Sequence, residues 1–222
     1  MSLRHTALLL AFAACAAAQT SAPPLKASKG LPPRNNAAEY LSRGQIGKVQ
    51  VGAEFDRHSV PTADSILTTE HFVAVEIGLF GAPGDHLAIS YGDFSLNING
   101  KKNPLPTEQY AAVFKNLRDP NWTSPEEIKA KEDKQSGGGG SGLTTNNTQT
   151  DNMNMPVIVH IPPEMEKAMA TSVTNAALPE GDRQLPIAGL LFFAYSGDAK
   201  GIKTVELVYN GPAGKATIPL QR

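Results

Sequence analysis

The run FVAVEIGLF, from Phe72 to Phe80, constrains the fold more than any other stretch of the chain. Val73, Val75, Ile77 and Leu79 recur at every second position and Glu76 and Gly78 fall between them, the period of a strand with two unlike faces. The same texture returns after the turn GAPGD, where Leu87, Ile89 and Tyr91 alternate. GDFSLNING then sets Phe94, Leu96 and Ile98 against Ser95, Asn97 and Asn99, and ends in the Asn99–Gly100 pair that favours a tight turn. Near the C-terminus, IAGLLFFAY from Ile187 is apolar on both faces, as a central strand should be. TVELVY puts Val205, Leu207 and Tyr209 on one face, and KATIPL follows with Ala216, Ile218 and Leu220 inward. Pro219 lacks the N–H of a ladder bond, which puts this last strand at an edge. With KVQV and AEFDRHSV the chain has seven or eight strands. The expectation is a mainly-β, antiparallel, two-sheet sandwich.

A long, partly helical insertion at about 101–186 separates the two strand blocks. Leu105 to Leu117 reads as a short helix, with Tyr110, Val113, Phe114 and Leu117 spaced by three and four. At SPEE, Ser124 caps, Pro125 suits the first helical position and Glu127 completes a capping box, opening a charged helix that runs to Lys134. A third helix, Pro163 to Leu178, carries Met165, Met169, Val173 and Ala176 on one face. Between them the glycine-rich loop 135–142, QSGGGGSG, lies within one domain rather than between two, because the block before it has too few strands to close a sandwich alone. Loop-closure cost grows only slowly with length, so such an excursion is tolerated.

The first residues set the compartment. Arg4 and His5 precede the apolar ALLLAFAA, and small residues follow, as in a secretory signal peptide spanning 1–18. The expected location is therefore exported, periplasmic or extracellular. No segment is apolar for the roughly 20 residues of a membrane-spanning helix. Cys15 is the only cysteine, so no disulfide forms within one chain. Cleavage after Ala18 discards it, whereas FAAC read as a lipobox makes it a lipid anchor. Residues 19–43, with SAPPLKASKGLPPRNN, offer little to bury and read as a flexible segment ahead of a domain over 44–222. Removing Arg4 with the signal leaves 19 basic residues of the 20 against 21 acidic ones, with no basic patch, which argues against nucleic acid as a partner.

Motifs for chemistry fail on context. Gly137, Gly139 and Gly142 match G-x-G-x-x-G, yet a dinucleotide fingerprint needs a strand before it and a helix after it. The histidines His58, His71, His86 and His160 stand far apart. Asp56 and His58 share a strand face at i, i+2 and Asp85 adjoins His86, the arrangements that would offer an acid/base or metal pair. DNMN around Asp151 lacks the ordered oxygen-ligand loop of a calcium site, and NWT at Asn121 and NNT at Asn146 match the glycosylation pattern. No catalytic, cofactor-binding or metal-ligating residue is assigned.

Two stretches carry a resemblance. FVAVEIGLFGAPGDHLAISYGDFSLNINGK and AGLLFFAYSGDAKGIKTVELVYNGPAGKATIPL are similar to a family of uncharacterised exported bacterial immunoglobulin-like domains, related to the mycobacterial immunoprotective-antigen fold. Asp93, Phe94 and Leu96 match its D-F-x-L strand, Gly189 and Phe192 its G-x-x-F, and Leu207 and Tyr209 its L-x-Y. The resemblance implies an immunoglobulin-like sandwich and no catalytic residues. Two functions stay open: an exported non-enzymatic module binding a protein or envelope partner, and a hydrolase or metal-binding protein with a site assembled from dispersed histidines and carboxylates.

Overall fold

The computed structural model describes residues 27–125, 128 and 161–221. The signal peptide, Cys15, most of the charged helix after Ser124, the glycine run, Asn146, Asp151 and His160 lie outside the described residues. In chain order the strands are β1 (Ser42–Ile46), β2 (Val49–Arg57), β3 (Ser59–Pro61), β4 (Ile66–Thr69), β5 (Phe72–Phe80), β6 (His86–Ile89), β7 (Phe94–Ile98), β8 (Leu105–Glu108) and β9 (Leu117–Arg118). After helix α1 (Pro163–Ala176) come β10 (Gly181–Gln184), β11 (Ile187–Ala194), β12 (Val205–Gly211) and β13 (Gly214–Leu220).

The protein is mainly β and antiparallel, as its alternating runs require. Eight strands hydrogen-bond in one sheet ordered β1-β2-β5-β11-β8-β7-β12-β13. The expected division into two separate sheets is corrected by β8. Its Leu105 and Pro106 pair with Leu96 and Ser95 of β7, and its Thr107 and Glu108 pair with Phe193 and Phe192 of β11. One short strand thus turns the corner between two strand groups, and the sheet curls until β1 lies beside β13.

That last gap is closed by side chains rather than by a ladder. Ile218 packs onto Gly44, where a β-carbon would stand 2.5 Å from its Cγ1, and the Gln221 N–H donates to Ser42 Oγ at 2.8 Å. Counted by alternation from the turn at Pro212 and Ala213, Glu206 and Pro219 form a non-hydrogen-bonded pair. The missing N–H of Pro219 therefore faces β1, which is why this edge ends the ladder. The result is barrel-like and nearly closed.

The two strand blocks interleave. All eight residues of β11 pair with β5, Ile187↔Leu79 through Ala194↔Phe72, and β12 pairs with both β7 and β13. Val51, Val75, Ile77, Leu96, Leu191, Phe193 and Leu207 bury their side chains in one cluster. The other edge of β11 is shared. β8 takes its C-terminal half, the Leu178 N–H donates to Leu190 O at 3.0 Å, and the Leu31 N–H donates to Ala188 O at 2.9 Å.

Three further expectations change. Leu105–Leu117 is not an α-helix: β8 comes first, then a 3₁₀ helix at Tyr110–Asn116. Its i, i+3 repeat also suits a 3₁₀ turn, so Tyr110, Val113 and Leu117 are buried as their spacing requires. The span 101–186 is not a simple insertion, since β8 joins the main sheet and β10 pairs with β6 as a separate ribbon. Finally, residues 27–43 do not stand away from the domain. Leu31 joins β11, and Tyr40 is buried on β2 and β5.

Candidate functional site

Two places hold more than packing. The first arises from register. β2 and β5 pair Glu54 with Glu76 and Gly52 with Gly78, so two carboxylates face each other across one face of the sheet, an arrangement that repels. Arg34, from the N-terminal segment, lies between them. Its Nη1 donates to Glu54 Oε1 at 2.6 Å and to the Glu39 carbonyl at 2.7 Å, and its Nη2 reaches Glu76 Oε1 and Oε2 at 3.3 Å. The guanidinium also stacks over the Tyr40 ring, 4.1 Å from its centroid. That ring fills the trough left by the two glycines: a β-carbon at Gly52 would lie 2.2 Å from Tyr40 Cδ2, and one at Gly78 2.5 Å from its hydroxyl. The Glu54 hydrogen bond, and then the Glu76 charge, raise the Arg34 pKa against the cost of burial. Burial, and then the Glu76 charge, push the Tyr40 hydroxyl up to about 12.

Next to this cluster β2 carries a bulge. The register passes from Phe55↔Val75 to Arg57↔Ala74, leaving Asp56 as the extra residue, and Arg57 adopts φ 58. Asp56 and His58 therefore do not share a strand face, which corrects the i, i+2 reading. Asp56 Oδ2 is buried without a hydrogen-bond partner among the described residues. Burial first, then the charges of Glu76 and Glu54, push its carboxyl up to about 7. Burial also raises Glu76. The folded chain thus holds on Asp56 a proton that the unfolded chain releases near pH 4. Stability from this group is full below that pH and is lost as pH rises towards 7. At about 1.4 kcal/mol per pKa unit, wild-type protein is expected to lose about 2–4 kcal/mol between pH 4 and pH 8, and Asp56→Asn to lose less than half of that. Urea unfolding at a series of pH values reads both slopes, and equal slopes would remove Asp56 from the account.

The second place is a groove between α1 and the 3₁₀ helix with β9. Pro163 at the first position opens α1, and its stripe buries Met169, Val173 and Ala176, with Met165 packed beside them, as the spacing predicts. Past its end, Ala177 and Leu178 lie along β11, where Gly189 leaves room for the backbone: a β-carbon there would stand 2.5 Å from Leu178 Cα. So anchored, α1 faces Phe114 and Leu117 across a cavity of about 420 Å³. Phe114, Leu117, Met169 and Ile161 make the apolar floor. Lys115, Arg118 and Lys167 stand exposed at the rim with one acid, Glu166. None of the three cations belongs to an ion pair among the described residues, although Arg118 Nη1 donates to the neighbouring Leu117 carbonyl at 3.1 Å.

The described histidines do not meet. His58 follows β2 with Nδ1 2.7 Å from Phe72 O and Nε2 3.0 Å from Gly197 O, so it ties that corner to the loop after β11. His71 is exposed at the start of β5, and its carbonyl accepts from the Tyr195 N–H at 2.9 Å. His86 lies on β6 and its Nδ1 is 3.4 Å from Asp182 on β10, both exposed. Asp85 does not serve His86; its Oδ2 accepts from the Ala82 N–H at 2.8 Å and closes the GAPGD turn. Among the described residues no three His, Cys, Asp or Glu side chains gather at metal-binding distance. A hydrolase centred on these histidines has no observation in its favour.

Sequence reasoning named α1's stripe but not the groove, and missed the Arg34 cluster, whose partners come together only through strand register. No family model, no curated protein and no solved structure matches the chain.

Proposed function

We propose that the chain is an exported, non-enzymatic β module that binds a protein or cell-envelope partner through the groove between α1 and the 3₁₀ helix. The observation that carries this reading is the groove itself: an apolar floor with exposed cations at its rim, framed by two elements held on a packed sheet. Grooves of this kind take an amphipathic segment by generic physics, with apolar anchors for affinity and rim charges for orientation. The signal-like first 18 residues supply the export half of the reading. Kinship with the immunoglobulin-like family belongs to the same proposal. Its support is that four of the matched residues are cross-strand neighbours, Phe94 opposite Tyr209 with ring centroids 5.1 Å apart and Leu96 opposite Leu207.

A photo-crosslinking side chain at Ala170, in the groove, is expected to trap one discrete species in the native envelope. The same group at the exposed Thr217 on β13 is expected to trap none. Identical products from both positions, or none from either, would sink the proposal.

A further inference from the structure

Resting on the groove reading, we infer that its occupant is an acidic segment with apolar anchors, a protein partner whose carboxylates meet Lys115, Arg118 and Lys167. Elsewhere on the sheet a half-buried cation is already matched: Arg34 has Glu54 at 2.6 Å and Glu76 at 3.3 Å. Around the groove three cations share one rim with a single acid and have no ion-pair partner among the described residues. They come from both walls, Lys115 and Arg118 from the 3₁₀ helix and β9, Lys167 from α1, so a segment lying between the walls passes all three. The floor of Phe114, Leu117 and Met169 asks for apolar side chains on the face turned inward. A basic segment would add charge to this rim, and a purely polar acidic one would leave the floor wet. Only the acidic, apolar-anchored segment satisfies both surfaces.

The probes are three synthetic peptides of equal length: leucine with glutamate at helical spacing, leucine with lysine at the same spacing, and serine with glutamate. Binding to the full mature chain is read by fluorescence anisotropy. The leucine–glutamate peptide is expected to bind at least about tenfold more tightly than either control, and to weaken as salt is raised. Charge reversal at two exposed positions, Lys115→Glu with Lys167→Glu, leaves the floor intact and is expected to reverse the preference in favour of the leucine–lysine peptide. Equal affinity for the two leucine peptides, a serine–glutamate peptide that binds as well, or a preference untouched by charge reversal would each overturn the inference.

Two other occupants are also outcomes. If the mature chain binds no peptide but a variant with 129–160 replaced by a short linker does, the groove belongs to this chain's own segment and a separate acidic partner is excluded. If sedimentation shows self-association that Lys167→Glu abolishes, a second copy is the occupant and the inference falls. A persistent Ala170 crosslink alongside failed peptide selectivity would keep the groove as a binding site and discard only the acidic chemistry.

Discussion

Gly189→Ala is expected to destabilise the protein by about 2–4 kcal/mol and to loosen α1 from the sheet. A β-carbon at this position would stand 2.5 Å from Leu178 Cα, 2.6 Å from Leu178 N and 2.9 Å from Ala177 C. These are backbone atoms, so no side-chain rotation relieves the clash. The 177–178 segment must move off β11, and the Leu178 N–H to Leu190 O bond of 3.0 Å goes with it. Because that bond lies two residues beyond the end of α1, the helix loses its anchor and the groove its wall. Urea unfolding measures the loss, and hydrogen exchange localises it. Protection should fall over 163–178 while β5 and β12 keep theirs. Wild-type stability in Gly189→Ala would mean that the helix is not held at this point. A glycine at this position has a physical reason: the close approach of a second backbone.

Arg34→Ala is expected to cost about 2–4 kcal/mol near neutral pH, because it leaves two carboxylates opposed on neighbouring strands with nothing between them. Glu54 and Glu76 are 21% and 12% exposed as side chains, too little for water to screen them fully. The variant also removes the cation from the face of Tyr40 and frees the segment that carries it. Adding Glu76→Gln to Arg34→Ala should recover more than half of the loss, since one of the two charges is then gone. A lost contact without charge repulsion would show no such rescue. The double-mutant cycle therefore separates electrostatics from packing.

The strands that alternate strongly were legible in the sequence. FVAVEIGLF became β5 and IAGLLFFAY became β11, the latter at the centre of the sheet where its two apolar faces require it. Two strands, one in the main sheet and one in the separate ribbon with β6, were not legible. LPTE in β8 contains a proline, and GDRQ in β10 is polar throughout, so neither carries a period of two. They are extended because neighbouring strands impose pairing on them, β7 and β11 on β8 and β6 on β10, a tertiary effect that local propensity does not record. Without β8 the corner between the strand groups is invisible, and two sheets look as plausible as one curled sheet.

The N-terminal segment was illegible for a related reason. SAPPLKASKGLPPRNN has nothing apolar to bury in bulk, yet Arg34 and Tyr40 dock on sites made by register: two glutamates in one cross-strand pair and two glycines in the next pair on the same face. The Asp56 bulge left no local signal either. The groove was half legible. Helical spacing marked α1's buried stripe, and the same spacing identified the residues of the facing wall while assigning them to the wrong kind of helix.

In the function proposed for this chain, α1, held against the sheet at Gly189, forms one wall of a partner-binding groove. Its most direct test is the Ala170 photo-crosslink, compared between the wild-type background and Gly189→Ala under conditions where circular dichroism shows the strands intact. A discrete crosslinked species is expected in the first and its loss in the second. Equal crosslinking in both backgrounds would contradict that function.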